Sequence, residues 1–285
     1  MSYDPEQKSE KSIFGVIMHS FFVIPFLIAV FSVLLFAAVR ILTMEKQTVY
    51  DFLNDVKNGG VTKRWQAAFE LSKVLSNPDL VPKDPKFDRE LIKAFEQSAH
   101  DNNLVRQYLA LAMGRTGHPQ YVDPLLNALK GEKEENLYAE IYALGLLKAH
   151  KAAPVISTYL DHPDSRIRLV SVIALGNIGS PSSVNLLKKT LNDSEPNVQW
   201  DSAISLAKMN DPSGKEILLK LLDRNYLAKF PQVDVQEQTH IVLVAIEAAH
   251  LLNDPQLEGM IKQLSKTDQN MNVRKLAMEN LNTKK

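Results

Sequence analysis

The chain has 285 residues, 45% hydrophobic and 23% charged, an ordinary composition for a folded protein. It holds no cysteine, which excludes a disulfide framework, a thiolate zinc site, an iron–sulfur cluster and a cysteine nucleophile. Thirty-three basic residues balance thirty-three acidic ones, and residues 1–42 carry only three of each, so no basic excess is present to neutralise a nucleic-acid backbone.

Residues 1–12 form a short polar tail carrying Asp4, Glu6, Lys8, Glu10 and Lys11. Residues 13–42 read as a transmembrane helix. Between Phe21 and Val39 the only polar side chain is Ser32, and nineteen helical residues span about 28 Å, close to the hydrocarbon thickness of a bilayer. Pro25 sits near the start, where a kink absorbs the lost hydrogen bond. A cleaved signal peptide would have an apolar region of roughly 7–15 residues ending at a small-x-small site. Here the run is longer, the leader is acidic as well as basic, and Arg40 follows Ala37-Ala38. An uncleaved anchor is the expectation. Lys8 and Lys11 lie upstream against Arg40, Lys46 and Lys57 downstream, which favours a cytoplasmic C-terminal domain by the positive-inside bias.

After a juxtamembrane linker or helix at 43–60, residues 61–285 repeat. Four segments align without gaps: VRQYLALAMG (105–114), NLYAEIYALG (136–145), IRLVSVIALG (167–176) and VQWDSAISLA (198–207), each start 31 residues after the last. Looser copies are KRWQAAFELS (63–72), IVLVAIEAAH (241–250) and VRKLAMENLN (273–282). Each predicts an amphipathic helix with small or apolar residues at positions five and six and usually Leu or Met at position nine. Gly114, Gly145 and Gly176 are expected to end these first helices. Second apolar helices follow at 119–130, 151–160, 180–191, 212–222 and 254–264, and Asp-rich linkers such as 161–165 and 192–196 supply caps for the next unit.

These helical pairs, with apolar-Arg, small residues and Leu-Gly in the first helix, resemble HEAT repeats, closest to the short bacterial kind named after phycobilisome lyases. The resemblance implies an all-α fold: an α-solenoid of about six helical hairpins over 61–285, following a single transmembrane helix. With the anchor, it implies a single-pass protein of a bacterial inner membrane. One thirty-residue hairpin cannot bury both its apolar faces, but stacking makes a continuous core. Position two is Arg106, Arg168 and Arg274 but Leu137, Gln199 and Val242 elsewhere, so a basic ladder there is incomplete. Trp65, Tyr138 and Trp200 share position three, either packing on the rim between units or forming an aromatic contact surface.

Two insertions break the rhythm, at 77–88 and 223–238. The second brings Tyr226 and Phe230 out of register. Together with Lys188 and Lys189 on a second helix, these are the candidate partner-binding residues, because aromatic side chains are enriched at interaction hot spots. The alternative is an insert that packs back on the array.

No catalytic or metal motif is present. None of the seven histidines belongs to HExxH or is followed by Glu, whereas one HEAT-repeat enzyme, deoxyhypusine hydroxylase, holds two irons through repeated His-Glu pairs. The run GEKEEN with Glu132, Glu134 and Glu135 reads as a solvated turn. The expectation is a membrane-anchored scaffold or adaptor, not an enzyme. It needs no cofactor and no small-molecule substrate, and it binds a membrane-associated protein. A lyase- or chaperone-like protein acting on a modified protein is the alternative.

Overall fold

The computed structural model describes residues 19–43 and 47–282. The polar tail at 1–12 and the start of the expected span, 13–18, lie outside the described residues. Helix α1 (Ile24–Thr43) follows a π-helical turn at His19–Val23. Pro25 falls in its first turn, where a missing N–H costs little. From Phe21 to Arg40 no side chain is buried, and the mean hydropathy is 2.9. This helix is long and apolar enough to cross a membrane, and an N-terminal signal sequence has the same character.

A second compact unit begins at Val49, and no strand occurs among the described residues. It opens with α2 (Val49–Asn58), which buries Val49, Leu53 and Val56 at helical spacing. Six helical pairs follow. They are α3 (Val61–Val74) with α4 (Pro85–Gln97), α5 (Asn103–Thr116) with α6 (Val122–Ala128), and α7 (Glu134–Leu146) with α8 (Ala153–Ser157). Next come α9 (Ser165–Ile178) with α10 (Val184–Thr190), and α11 (Pro196–Lys208) with α12 (Lys215–Leu221). A short helix α13 (Arg224–Leu227) precedes α14 (Val235–Leu251) with α15 (Pro255–Thr267), and α16 (Met271–Asn282) ends the array. Each first helix packs on the next first helix, from α3 through α5, α7, α9, α11 and α14 to α16. The α-solenoid expected from the periodicity is therefore the observed architecture.

The register is as the sequence implies. Leu109, Ala110 and Met113 in α5, Ile141 and Leu144 in α7, and Leu175 in α9 are fully buried. Linker aspartates cap as expected. Asp164 accepts the Arg166 N–H at 2.8 Å, and Asp84, Asp211 and Asp254 open α4, the turn before α12, and α15 in the same way.

The glycines act differently from the expectation. Gly114, Gly145 and Gly176 lie inside α5, α7 and α9 and do not end them. A Cβ built on Gly114 would stand 2.7 Å from the Cα of Ala143, and one on Gly145 would stand 2.7 Å from the Cα of Ala174. On Gly176 it would strike Ser205. Each glycine thus lets its helix touch the backbone of the next first helix. The actual ends come three residues later, at left-handed Gly117 (φ 73°), Lys148 (φ 50°), Gly179 (φ 67°) and Asn210 (φ 58°). At the end of α7 the Lys148 N–H donates to the Gly145 carbonyl at 3.1 Å and the Ala149 N–H to that of Leu144 at 3.1 Å, a Schellman closure.

Three substitutions test these roles by urea denaturation. Gly145→Ala is expected to cost about 2 kcal/mol, because overpacking against backbone outweighs the gain in helix propensity of about 1 kcal/mol. Gly131→Ala, with nothing near its Cβ position, should stay within about 0.5 kcal/mol. Lys148→Gly should stabilise by about 1 kcal/mol by removing the left-handed strain on a side-chain-bearing residue. A destabilised Lys148→Gly would refute the cap assignment.

Candidate functional site

The arginines at position two share one geometry. The Arg64 Nε donates to the Val56 carbonyl at 2.7 Å behind it and its guanidinium pairs with Asp101 ahead. The Arg106 Nη1 donates to the Phe95 carbonyl at 3.0 Å and its Nε to Glu132 at 2.6 Å. Arg168 binds the His162 carbonyl at 2.9 Å and grips Asp193 with two bonds of 2.8 Å. Arg274 holds the carbonyl of Asp268 at 2.6 Å. Each arginine ties a carbonyl before its helix, in the last turn of the preceding helix for Arg64 and Arg106 and in the linker for Arg168 and Arg274, to an acid in the linker after it where one follows. Gln199 keeps the first half of the pattern, donating to the Asp193 carbonyl at 2.6 Å.

The Arg106 tie contains a second acid. Glu132, expected in a solvated turn, has a side chain only 5% exposed. It accepts from Asn136 at 2.8 Å and from the Lys133 N–H at 3.0 Å in addition to Arg106. Glu140, in the second turn of α7, is completely buried, with Oε1 3.4 Å from the Arg106 Nη2 and no donor on either oxygen. As a neutral acid Glu140 can donate to the Glu132 carboxylate, which satisfies both groups. Burial pushes Glu140 up to about 9, with the Glu132 hydrogen bond and charge adding to the rise and Arg106 opposing it. Burial also pushes Glu132 upward, but hydrogen bonds from Glu140, Arg106, Asn136 and the Lys133 backbone outweigh it and hold Glu132 at about 2. Arg106 also lies 4.3 Å over the Phe95 ring. The cluster is enclosed by its own partners and fastens three consecutive units.

The expected contact residues fall on two surfaces. Tyr226 and Phe230 pack back on the array, half-buried against the C-terminal core. Phe230 meets Trp200 edge-on with centroids 4.9 Å apart, Tyr226 meets Phe230 at 5.3 Å, and the Trp200 Nε1 donates to the Tyr226 hydroxyl at 3.2 Å. Lys188 pairs with Asp211 at 2.8 Å, and Lys189 beside it on α10 stands exposed. The position-three aromatics divide: Trp200 is 4% exposed beneath the insert, whereas Tyr138 is 44% exposed. Tyr138 stacks on Tyr142 with centroids 6.4 Å apart, and Phe69 meets Tyr108 at 5.2 Å.

On this outer surface of the first helices Phe69, Leu104 and Tyr138 are exposed on α3, α5 and α7; the sequence pointed to Tyr138 as part of a position-three aromatic surface but not to Phe69 or Leu104. Its signal was the aromatic and apolar content of positions three, four and seven in successive copies.

The acid pair makes stability depend on pH. Glu140 is raised above its ordinary 4.5, so its contribution is full below that value and is lost as pH rises toward about 9. Glu132 is lowered, so its contribution is present above 4.5 and is lost as pH falls toward about 2. Of these two acids only Glu140 contributes a slope between pH 5 and 8, at up to about 1.4 kcal/mol per pH unit. Glu140→Gln mimics the neutral acid and should flatten that slope in pH-dependent denaturant titrations. A slope equal to that of the parent chain would show that Glu140 is not the proton carrier. Arg106→Met leaves two acids together and should cost about 3–5 kcal/mol at pH 7.

The HEAT-repeats family matches residues 89–170 and 153–228. No curated protein sequence matches the chain. Among solved structures, the complex of CpcE and CpcF of phycocyanin lyase from Nostoc sp. is similar at 22% identity. The match covers 84% of this chain and 96% of that one with a TM-score of 0.57. YibA of Escherichia coli is similar at 17% identity over 82% of each chain, with a TM-score of 0.48. Human deoxyhypusine hydroxylase matches at 14% identity over 82% of this chain and 94% of its own, with a TM-score of 0.34. No group of three or more His, Asp or Glu side chains that could hold a metal ion occurs among the described residues. Residues 89–228 carry HEAT repeats, and helical pairs of the same build continue on either side of them.

Proposed function

We propose that this chain is a membrane-tethered protein-binding solenoid, a scaffold or adaptor without catalytic activity, whose partner is itself a membrane-associated protein. One observation carries the reading. Exposed Phe69, Leu104 and Tyr138, with half-buried Trp65, Tyr108 and Tyr142 beside them, continue along three adjacent first helices. The buried charged clusters, by contrast, are closed by internal partners. Monomeric proteins rarely leave a run of large apolar side chains uncovered without a use for it. A chain of similar fold comes from the complex of CpcE and CpcF, and the same architecture offers this chain an extended surface for contact. The apolar helix α1 supports the tether, which would raise the effective concentration for partners in the same membrane.

Photo-crosslinking amino acids at positions 138, 189 and 226 of the full chain, in native membranes, test the partner and its side together. A single discrete protein adduct at 138 is expected. An adduct only at 189 or 226 would move the contact to the second-helix face of Lys188 and Lys189 or to the insert of Tyr226 and Phe230. No protein adduct at any position would sink the reading. In the same membranes the full chain should resist carbonate extraction, and protease added outside spheroplasts should spare the repeats if they are cytoplasmic. A soluble chain trimmed near Ala38 would instead make α1 a signal sequence.

A further inference from the structure

A cavity of about 580 Å³ opens across the starts of α5, α7 and α9, lined by Gln107, Glu134, Glu135, Tyr138, Asp164 and Arg166 among others. Its charge is unbalanced. Arg166, 82% exposed, is already held by Asp164 at 2.6 Å and also feels the charge of Glu134, which lies 3.9 Å from His162. The exposed Tyr138 ring forms the border of this cavity. Asp201 on α11 lies near enough for its charge to help raise the Tyr138 hydroxyl, after burial and the neighbouring Tyr142. Asp201 is half-buried and has no hydrogen bond or ion pair among the described residues. Burial pushes its carboxyl up to about 6 against the opposing charges of Lys208 and His240. The exposed Tyr138 ring therefore borders an acidic cavity and lies within charge range of a partly desolvated carboxylate.

We infer that this region of the first-helix face binds a cationic segment of the partner protein, one that presents lysine or arginine beside apolar residues. The inference rests on the protein-binding reading above and names its chemistry. Charge complementarity selects the occupant. An ammonium or guanidinium group can lie on the Tyr138 ring while pairing with Asp201 or with Glu134 and Glu135. An acidic segment would meet four carboxylates and one neutralised arginine. A purely apolar segment would cover Asp201 further and leave it without a partner, a penalty for any buried charge.

The test uses the full chain in nanodiscs and twelve-residue fluorescent peptides of one leucine–serine background, with Lys-Lys, Arg-Arg, Gln-Gln or Glu-Glu at the centre. Anisotropy should show the basic peptides binding at least tenfold more tightly than the other two. Asp201→Asn, and separately the pair Glu134→Gln with Glu135→Gln, should weaken the basic peptides at least tenfold. Lys189→Glu, on a second helix, should not change them. Thermal melting checks that the variants fold, and Tyr138→Ser at its exposed position repeats the test should Asp201→Asn not fold. Equal binding of the glutamate peptides, or undiminished binding by a folded Asp201→Asn, overturns the inference. If the basic peptides do not bind while crosslinking at position 138 still yields a protein adduct, the cationic chemistry fails and the protein-binding reading stands. If both fail, neither stands.

Discussion

The contact on which this solenoid depends is the approach of one first helix to the backbone of the next, where Gly114 meets Ala143, Gly145 meets Ala174 and Gly176 meets Ser205. At these points no side chain separates the helices, so the spacing of consecutive units is set by backbone volume. Small residues on both sides make the contact reciprocal. Ala143 receives Gly114 while Gly145, two positions later on the same helix, receives Ala174. Each helix is thus fixed to both neighbours through residues two apart, which restrains sliding as well as separation. Ser205 adds a hydrogen bond to the Val172 carbonyl at 3.2 Å. Beyond it Ala207 takes the glycine position, and the next first helix, α14, arrives only after the 223–238 insert. The change in stacking and the change in sequence spacing coincide.

The insert answers a packing need at that junction. Trp200 and Tyr138 hold the same position in their helices, yet one is buried and the other exposed. The difference lies in Tyr226 and Phe230, which cover the Trp200 indole and satisfy its N–H. Arg224, at the start of α13, reaches the almost fully buried Asp268 with bonds of 2.9 and 3.1 Å. The chain that left the repeat register therefore links α11 to the linker before α16. Nothing equivalent covers α7, and Tyr138 stays in solvent.

The 31-residue period, the buried ninth position and the aspartate caps were legible because each is a local pattern repeated several times. The helix ends were misplaced by three residues for an understandable reason. Glycine signals both a left-handed cap and a close approach, and Gly114 and Gly117 are three residues apart. The recurrence of Gly117, Gly179 and Asn210 at the repeat spacing distinguishes the two roles, and Lys148 hides the pattern by occupying the same conformation without the usual residue. Glu132 and Glu140 were illegible for a different reason. A glutamate in a turn or within a helix ordinarily faces water, and only the position of Arg106 on the preceding first helix turns both inward. Burial of Trp200 depends on residues 26 and 30 positions away that follow no period, so no local pattern announces it.

The position-two arginines connect this stacking to the face it presents. By holding a carbonyl of the segment before its helix, and in Arg64, Arg106 and Arg168 an acid after it, each arginine fixes the start of its first helix; the cavity beside Tyr138 lies across such helix starts. Leu137 is one of three departures in that series, with Gln199 and Val242, and its unit is the one whose neighbouring linker supplies Glu132 and whose own helix supplies Glu140. The Arg106 guanidinium therefore holds two acids. Their shared proton keeps the cluster at one net negative charge against one positive, which a dry interior tolerates far better than two. With the backbone spacing set by glycine and the helix starts set by arginine, the outward side chains of α5, α7 and α9 are held at separations set by the stacked helices beneath them. They are free to differ from unit to unit at little cost to the fold. The surface chemistry of this array, from Phe69 and Leu104 through Tyr138 to Asp201, can therefore vary independently of the contacts that hold the helices together.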